Sequence, residues 1–121
     1  MKSNVVQEKS FALALNIIEI YRLCVMQREF VLSKQLLRSG TSIGANVEEA
    51  LAGQSRADFL SKMSIASKEA REALYWLRLM NASQIVTIDL QPIIIQTEEV
   101  VCLLTSIVKS TAASLSKSIK N

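Results

Sequence analysis

The sequence predicts an all-α protein, an antiparallel up-down four-helix bundle, in which residues 1–121 form a single domain. Two observations lead to this fold class. The chain has 121 residues and half of them are apolar, yet it contains only three glycines and one proline, which leaves little material for the turns of a sheet. Apolar side chains also recur every three or four residues through four segments, the spacing of amphipathic helices.

The first helix is predicted over residues 5–26, where the apolar side chains form two adjacent rows. The rows are Leu13, Ile17, Ile20 and Cys24, and Phe11, Ala14, Ile18, Tyr21 and Val25. Together they make an apolar stripe that is wider than one neighbouring helix requires. Three polar residues, Gln27, Arg28 and Glu29, then interrupt the pattern and predict the end of the helix.

The second helix is predicted over residues 30–51, and its middle consists almost entirely of small side chains. Gly40 and Gly44 each cost about 1 kcal/mol relative to alanine in a helix interior. Because they lie four residues apart, and so on one face, the close approach of a neighbouring helix across both glycines would offset that cost. A loop over residues 39–42 is the competing interpretation.

The third helix is predicted over residues 55–81. Gly53 is expected to end the preceding helix in the left-handed conformation, and Ser55 to cap the new helix, with the acidic Asp58 three positions later. Its apolar residues follow a heptad pattern, at Phe59, Met63, Ala66, Ala70, Ala73, Leu77 and Met80. The central alanines predict tight packing against the small residues of the second helix.

The fourth helix is predicted over residues 90–116, with Pro92 in its first turn, and residues 117–121 are expected to fray. Like the first helix, it carries a second apolar row, at Ile93, Val100, Leu103 and Ile107. Two helices with such broad apolar faces expose more than one small bundle can bury. We therefore expect a homo-oligomer, in which copies of the chain cover the excess.

The composition argues against catalysis. The chain contains no histidine, which excludes Ser-His and Cys-His nucleophile pairs and imidazole metal ligands. Its carboxylate pairs lack the Glu-x-x-His motifs of a di-iron bundle, and Glu69 and Glu72 are instead expected to pair with Lys68, Arg71 or Arg56. We expect no enzyme activity, no catalytic residue, no metal site and no cofactor.

Cys24 and Cys102 lie in apolar-rich segments and are expected to be buried free thiols. The longest segment without a charge, residues 79–88, is much shorter than the about 20 residues of a membrane span. Glu8 lies where a signal peptide would need its apolar run. We therefore expect a cytoplasmic protein that is not embedded in a membrane.

The charge is mildly basic, with 14 Lys and Arg against 11 Asp and Glu. A local excess of cations occurs at Arg22, Arg28, Lys34 and Arg38, with Glu29 as the one acid among them. A solvated end of the bundle would explain this excess. Phosphate contacts would also explain it, and they make these four residues candidate ligands for nucleic acid.

Two polar or amphipathic residues of the predicted helices need partners. Asn46 lies on the small-residue helix and, if buried, must find hydrogen-bond partners; we expect it to set the helix register. Trp76 adjoins Tyr75 but lies off the alanine row. It would close the flank of the bundle, anchor an oligomer contact or stack on a base.

A longer motif covers residues 38–77. Residues 38–50 read Arg-Ser-Gly-Thr-Ser-Ile-Gly-Ala-Asn-Val-Glu-Glu-Ala, followed by Ser-x-x-Asp-Phe-x-x-Lys at 55–62, Ile-Ala-x-Lys-Glu at 65–69, Glu72 and Tyr-Trp-Leu at 75–77. This pattern resembles the four-helix-bundle family of 23S rRNA intervening-sequence proteins. Its founding members are encoded within sequences that interrupt bacterial large-subunit rRNA genes. The resemblance implies an antiparallel four-helix bundle that assembles as a ring-shaped homopentamer.

Arg38, Ser42, Asn46 and Glu49 match the signature of that family, and we interpret them as a network of helix packing and hydrogen bonds. The family is also similar to the accessory variability determinant proteins of diversity-generating retroelements, whose pentameric barrels bind nucleic acid and a reverse transcriptase. The resemblance implies no catalytic residue.

Two hypotheses for the function follow. In the first, the protein is a pentameric module that binds RNA or another nucleic acid weakly through Arg22, Arg28, Lys34 and Arg38, and the five copies raise its avidity. In the second, it is a protein–protein assembly scaffold without a role in nucleic-acid binding, and the basic residues form a solvated surface.

Overall fold

The computed structural model describes residues 4–120, and the side chains of residues 4–118. It contains four α-helices, α1 at Val5–Met26, α2 at Leu32–Ala52, α3 at Arg56–Ser83 and α4 at Gln91–Lys120, and no strand in the described range. Consecutive helices pack against each other and α4 packs against α1, whereas the backbones of the diagonal pairs α1–α3 and α2–α4 are not in contact within the described residues. The predicted all-α four-helix bundle is confirmed. Within the described residues, no helix combines the length and the apolar composition that a membrane span requires.

A buried carboxylate marks the start of α2. The Glu29 side chain accepts hydrogen bonds from the backbone N–H groups of Val31, Leu32 and Ser33, at 3.1 Å for Val31 and 3.2 Å for Ser33. N–H groups at the start of a helix have no intrahelical partner, and a carboxylate there also interacts favourably with the helix dipole. The helix therefore begins at Leu32 and not at residue 30 as predicted. Arg28 turns the chain just before it, with φ at 66°.

Glycine allows α1 and α2 to approach closely at one point. The helix runs without interruption through residues 39–45, so the alternative interpretation as a loop is wrong. A Cβ atom at Gly40 would lie 2.9 Å from Ile17 Cγ2, closer than real Cβ atoms come to a neighbour, whereas one at Gly44 would lie 3.5 Å from Ser10 Oγ, an ordinary contact. Both glycines thus face α1 and not the alanines of α3, contrary to the prediction, and only Gly40 lacks room for a side chain.

The third helix buries its heptad pattern. The buried side chains are Met63, Ala66, Ala70, Ala73, Leu77 and Met80. The Ser55 hydroxyl accepts a hydrogen bond from the Asp58 N–H at 3.1 Å, which caps the helix as predicted. Gly53 is extended, with φ at −65° and ψ at 155°. The predicted left-handed conformation of Gly53 is wrong because the chain continues directly into the extended Ser55 cap.

The first and third connections meet at one end of the bundle. Gln27 Nε2 donates to the Thr87 carbonyl at 3.0 Å, and the Thr87 N–H donates to Gln27 Oε1 at 2.7 Å. These two bonds join the segment after α1 to the segment before α4. At the other end, α4 stays helical through residues 117–120, where fraying was predicted, and Asn121 lies outside the described residues.

The two cysteines differ in environment. Cys24 is buried, and this burial, together with the charge of Glu29, raises the pKa of its thiol to about 11. Cys102 is exposed, so its predicted burial is wrong. On α4 the buried positions are Val100 and Leu104, and residue 102, two positions from each, points to the opposite side of the helix.

Candidate functional site

The four basic residues singled out by the sequence do not act as one positive surface. Arg22 pairs with Glu19 of its own helix at 3.0 Å, and Arg38 pairs with carboxylates of α3. Arg28 and Lys34 are exposed and form no ion pair among the described side chains. Two of the four candidates therefore keep an uncompensated charge.

Arg38 lies in an ion-pair cluster between α2 and α3. Its Nη1 is 3.1 Å from Glu69 Oε2, and its Nη2 donates to Glu72 Oε2. Trp76 Nε1 donates to the same Glu72 oxygen at 3.0 Å. The hydrogen bond with Glu72 raises the pKa of Arg38. The hydrogen bond from Trp76, followed by the hydrogen bond and the charge of Arg38, lowers the pKa of Glu72. Both groups thus stay charged, and the indole holds Glu72 in place.

The carboxylates of α3 face α2, and this orientation separates them from the neighbouring cations. The sequence predicted that Glu69 and Glu72 form ion pairs with Lys68, Arg71 or Arg56, and this prediction is wrong. Arg71 instead donates a hydrogen bond to Thr105 Oγ1 of α4 at 2.8 Å. The two flanks of α3 therefore carry opposite charges, acidic toward α2 and basic toward α4.

The four signature residues lie along one side of α2. Ser42 Oγ donates to the Arg38 carbonyl at 2.7 Å, and Asn46 Nδ2 donates to the Ser42 carbonyl at 2.8 Å. Glu49 pairs with Lys62 of α3 at 3.1 Å. The two inner residues thus bond to their own helix, while Arg38 and Glu49 join α2 to α3. Ion pairs at both ends of the series hold the two helices in register.

A second basic group, which the sequence analysis missed, lies on the flank of α3 that faces α4. It consists of the exposed residues Lys68, Arg71, Tyr75 and Arg78, whose spacing of three, four and three places them within about 80° of one another around the helix axis. Arg71 also lines an open groove of about 540 Å³ together with Lys109 of α4. We call these five residues the α3 basic face.

An apolar stripe lies on the outer side of α1, away from the core. It consists of Phe11, Leu15, Ile18 and Val25, which follow the spacing of a heptad in which Arg22 occupies the position between Ile18 and Val25. The Phe11 side chain is 64% exposed and that of Leu15 is 52% exposed, and Ile18 and Val25 are half-buried. We call these four residues the α1 outer stripe.

The apolar excess is smaller on α4 than on α1. Of the second apolar row of α4, Ile93 and Val100 are buried in the core, and Leu103 and Ile107 pack against it. Ile95 is the large apolar side chain of this helix that remains mostly exposed, at 60%. Among the described residues, the broad apolar surface that the sequence predicted for two helices therefore lies mainly on α1.

The described side chains do not assemble into a pocket with the groups that a metal or a buried polar ligand needs. Among residues 4–118, no group of three His, Cys, Asp or Glu side chains is placed to hold a metal ion. In the same range, every buried side-chain nitrogen and oxygen has a hydrogen-bond partner. Among the described residues, the α1 outer stripe and the α3 basic face are two surfaces on which a partner could bind.

The described residues define an all-α four-helix-bundle protein. Residues 2–106 match the family of 23S rRNA-intervening sequence proteins, and the chain belongs to this family. The resemblance over residues 38–77 is thereby confirmed and extended.

A solved structure agrees with this assignment. The chain is similar to the crystal structure of a protein of unknown function from the S23 ribosomal protein family of Bacteroides thetaiotaomicron VPI-5482. The two share 50% sequence identity and a TM-score of 0.83, and the match covers 90% of this chain and 99% of the other. No curated protein matches the chain.

Proposed function

We propose that this chain is a non-enzymatic, cytoplasmic module that assembles as a homo-oligomer and binds RNA or another nucleic acid through a basic surface. The observation that carries the proposal is the α1 outer stripe. Burial of a side chain such as Phe11 or Leu15 stabilises an assembly by about 1.5–3 kcal/mol. Heptad spacing is also the pattern that allows two helices to pack with interlocking side chains. The number of copies, five, is the one that the family resemblance implies.

Light scattering coupled to gel filtration tests the assembly. At micromolar concentration we expect a particle several times heavier than the 13.4-kDa chain, and five times heavier for a pentamer. The double variant Phe11→Glu and Leu15→Glu should elute as a folded monomer, because two buried carboxylates would face the interface. Circular dichroism checks that its helices persist.

The matched control for this variant is Ile95→Glu. It introduces one carboxylate, against two in the α1 variant, at an apolar side chain of similar exposure on α4. The control should keep the assembled mass. A stable wild-type monomer would refute the assembly, and a monomeric Ile95→Glu variant beside an assembled α1 variant would place the interface elsewhere.

The nucleic-acid part of the proposal is supported by the uncompensated charges of Arg28 and Lys34 and by a net charge of +3 that is repeated in every copy. Several weak contacts held on one particle raise the overall affinity. Filter binding with a structured RNA at two salt concentrations tests it, because phosphate contacts weaken steeply as salt rises. Absence of binding at low salt would instead favour a protein–protein scaffold.

A further inference from the structure

The α3 basic face combines cations with an exposed aromatic ring. We infer that it is a binding surface for single-stranded nucleic acid, an inference that rests on the proposed function and locates its contact on α3. Proteins that bind single strands combine a positive surface along the backbone with aromatic side chains on which bases stack. Lys68, Arg71 and Arg78 supply the first feature and Tyr75 the second.

The positive charge of this face is a product of the bundle. Glu69 and Glu72 lie in the same stretch of α3, but both are bound to Arg38 of α2. Among the described side chains, Lys68, Arg71 and Arg78 form no ion pair.

On the α4 side, the row that borders the groove carries Lys109 and Thr105. Glu98, seven residues before Thr105, lies on the same row of α4, and it too forms no ion pair in the described range. Four cations therefore face one carboxylate across this surface. That balance attracts a phosphate backbone.

Tyr75 is presented to solvent and held in place. Its side chain is 55% exposed, and the ring meets that of Trp76 edge-on, with centroids 5.2 Å apart and planes at 68°. Trp76 is half-buried and donates its Nε1–H to Glu72, so its own ring packs against the bundle. The indole thus positions the tyrosine, and the tyrosine offers the face on which a base can stack.

The dimensions of the face match a few nucleotides of one strand. Residues 68 and 78 are separated by about 15 Å along the helix, at about 1.5 Å per residue. A stacked strand advances about 3.4 Å per nucleotide, so the face spans about four nucleotides, the lower end of typical single-strand sites. Stacking on Tyr75 requires an unpaired base, which favours a single strand over a duplex.

The α3 basic face stays accessible in the proposed assembly. Helix α3 lies diagonally opposite α1, and the backbones of the two helices are not in contact. An oligomer that forms through the α1 outer stripe would leave α3 pointing away from that contact in every copy. Repetition of the face around the assembly would let one strand bind several copies.

Fluorescence anisotropy with a labelled oligouridine tests the electrostatic part, with the full-length protein titrated over a series of salt concentrations. The triple variant Lys68→Gln, Arg71→Gln and Arg78→Gln should reduce the slope of log affinity against log salt by about 2, because each phosphate contact to a single strand contributes about 0.7. A competing variant removes three cations of the surface that the sequence singled out, through Arg22→Gln, Arg28→Gln and Lys34→Gln. If the α3 basic face is the main contact, this variant should change the slope by less than half as much.

Two variants of Tyr75 test the stacking. Tyr75→Ala should weaken binding of the oligouridine by about 5- to 150-fold, the range for loss of one base–aromatic contact, whereas Tyr75→Phe should stay within about twofold because the ring is kept. A duplex of the same length should bind more weakly than the single strand and should not respond to Tyr75→Ala. Melting curves check that all variants fold.

The outcomes separate this inference from the proposed function. If the wild type binds the oligouridine and the Arg22, Arg28 and Lys34 variant loses binding while the α3 variant keeps it, the inference is refuted and the proposed function stands. Equal loss on Tyr75→Ala and Tyr75→Phe, or tighter binding of the duplex, also refutes it. If the wild type binds neither the oligouridine nor the duplex at low salt, the nucleic-acid part of the proposed function fails as well.

Discussion

The contact between α1 and α2 predicts different effects on stability for the same substitution at two positions one helical turn apart. Gly40→Ala places a methyl group 2.9 Å from Ile17 Cγ2, whereas Gly44→Ala places one 3.5 Å from Ser10 Oγ. Ile17 is fully buried, and its Cγ2 is fixed to a branched Cβ with one preferred rotamer in a helix. The isoleucine therefore cannot move aside, and the two helices must separate.

The magnitude follows from two opposing contributions. Each substitution favours folding by about 1 kcal/mol through helix propensity, and at Gly40 overpacking costs about 1–3 kcal/mol. Gly44→Ala should thus stabilise the protein by about 1 kcal/mol, while Gly40→Ala should be neutral or destabilise it by up to about 2 kcal/mol. Because the propensity contribution is common to both, the difference between the variants isolates the overpacking.

Urea denaturation monitored by circular dichroism measures both free energies of unfolding. A third variant, Ile17→Ala, removes the atoms that the new methyl group would meet. In that background Gly40→Ala should become as favourable as Gly44→Ala is in the wild type, which gives a coupling free energy of about 1–3 kcal/mol. Equal stabilisation by the two alanines in the wild type, or a coupling near zero, would show that the helices do not meet at Gly40.

Three further predictions concern other contacts. Glu29→Ala removes the acceptor for the N–H groups that begin α2 and should lower the free energy of unfolding by about 1–2 kcal/mol in urea; Glu29→Gln, which keeps one acceptor oxygen, should cost less. The pKa of Glu72 lies below its ordinary value of 4.5 in the folded protein, so its contribution to stability is present above pH 4.5 and is lost as the pH falls through the lower folded pKa. Glu72→Gln should make the melting temperature less sensitive to acid in that window. An unchanged pH profile would contradict the hydrogen bonds that Glu72 accepts from Trp76 and Arg38. Ellman's reagent should modify one thiol of the native protein, the exposed Cys102, and should modify the second thiol, Cys24, only in denaturant. The variant Cys102→Ser should abolish the fast reaction. A fast reaction that persists in this variant would mean that Cys24 is accessible.

The helices could be predicted because their signals are local. Apolar spacing marks α1 at Val5–Met26 as predicted, and the Ser55 hydroxyl caps α3 through a bond that spans three residues. The start of α2 could not be predicted from the apolar pattern, because the residue that caps the helix is polar. Glu29 caps α2 with a buried carboxylate, and the apolar pattern does not distinguish a buried polar side chain from an exposed one. Local rules also failed at Gly53, where the following cap requires extended backbone.

The closeness of particular helix contacts was less predictable. Two glycines four residues apart predicted a close approach, but the partner turned out to be α1, and Gly44 has room for a side chain that Gly40 lacks. Which helix packs over a small residue depends on how the four helices of the bundle pack together. The distance from α1 to Gly40 depends on a single rotamer of Ile17. Neither the identity of the facing helix nor this distance is encoded in the spacing of residues along α2.

The sequence by itself determined the four helices, the absence of histidine chemistry and the family. The tertiary structure decided which charges are neutralised. Residues 68–78 contain three cations and two carboxylates, nearly balanced in sequence. Arg38, more than thirty positions away, binds both carboxylates on one flank of α3 and so leaves a positive surface on the other. Charges compensate each other through space over a few ångströms, and such distances exist only once α2 has packed against α3.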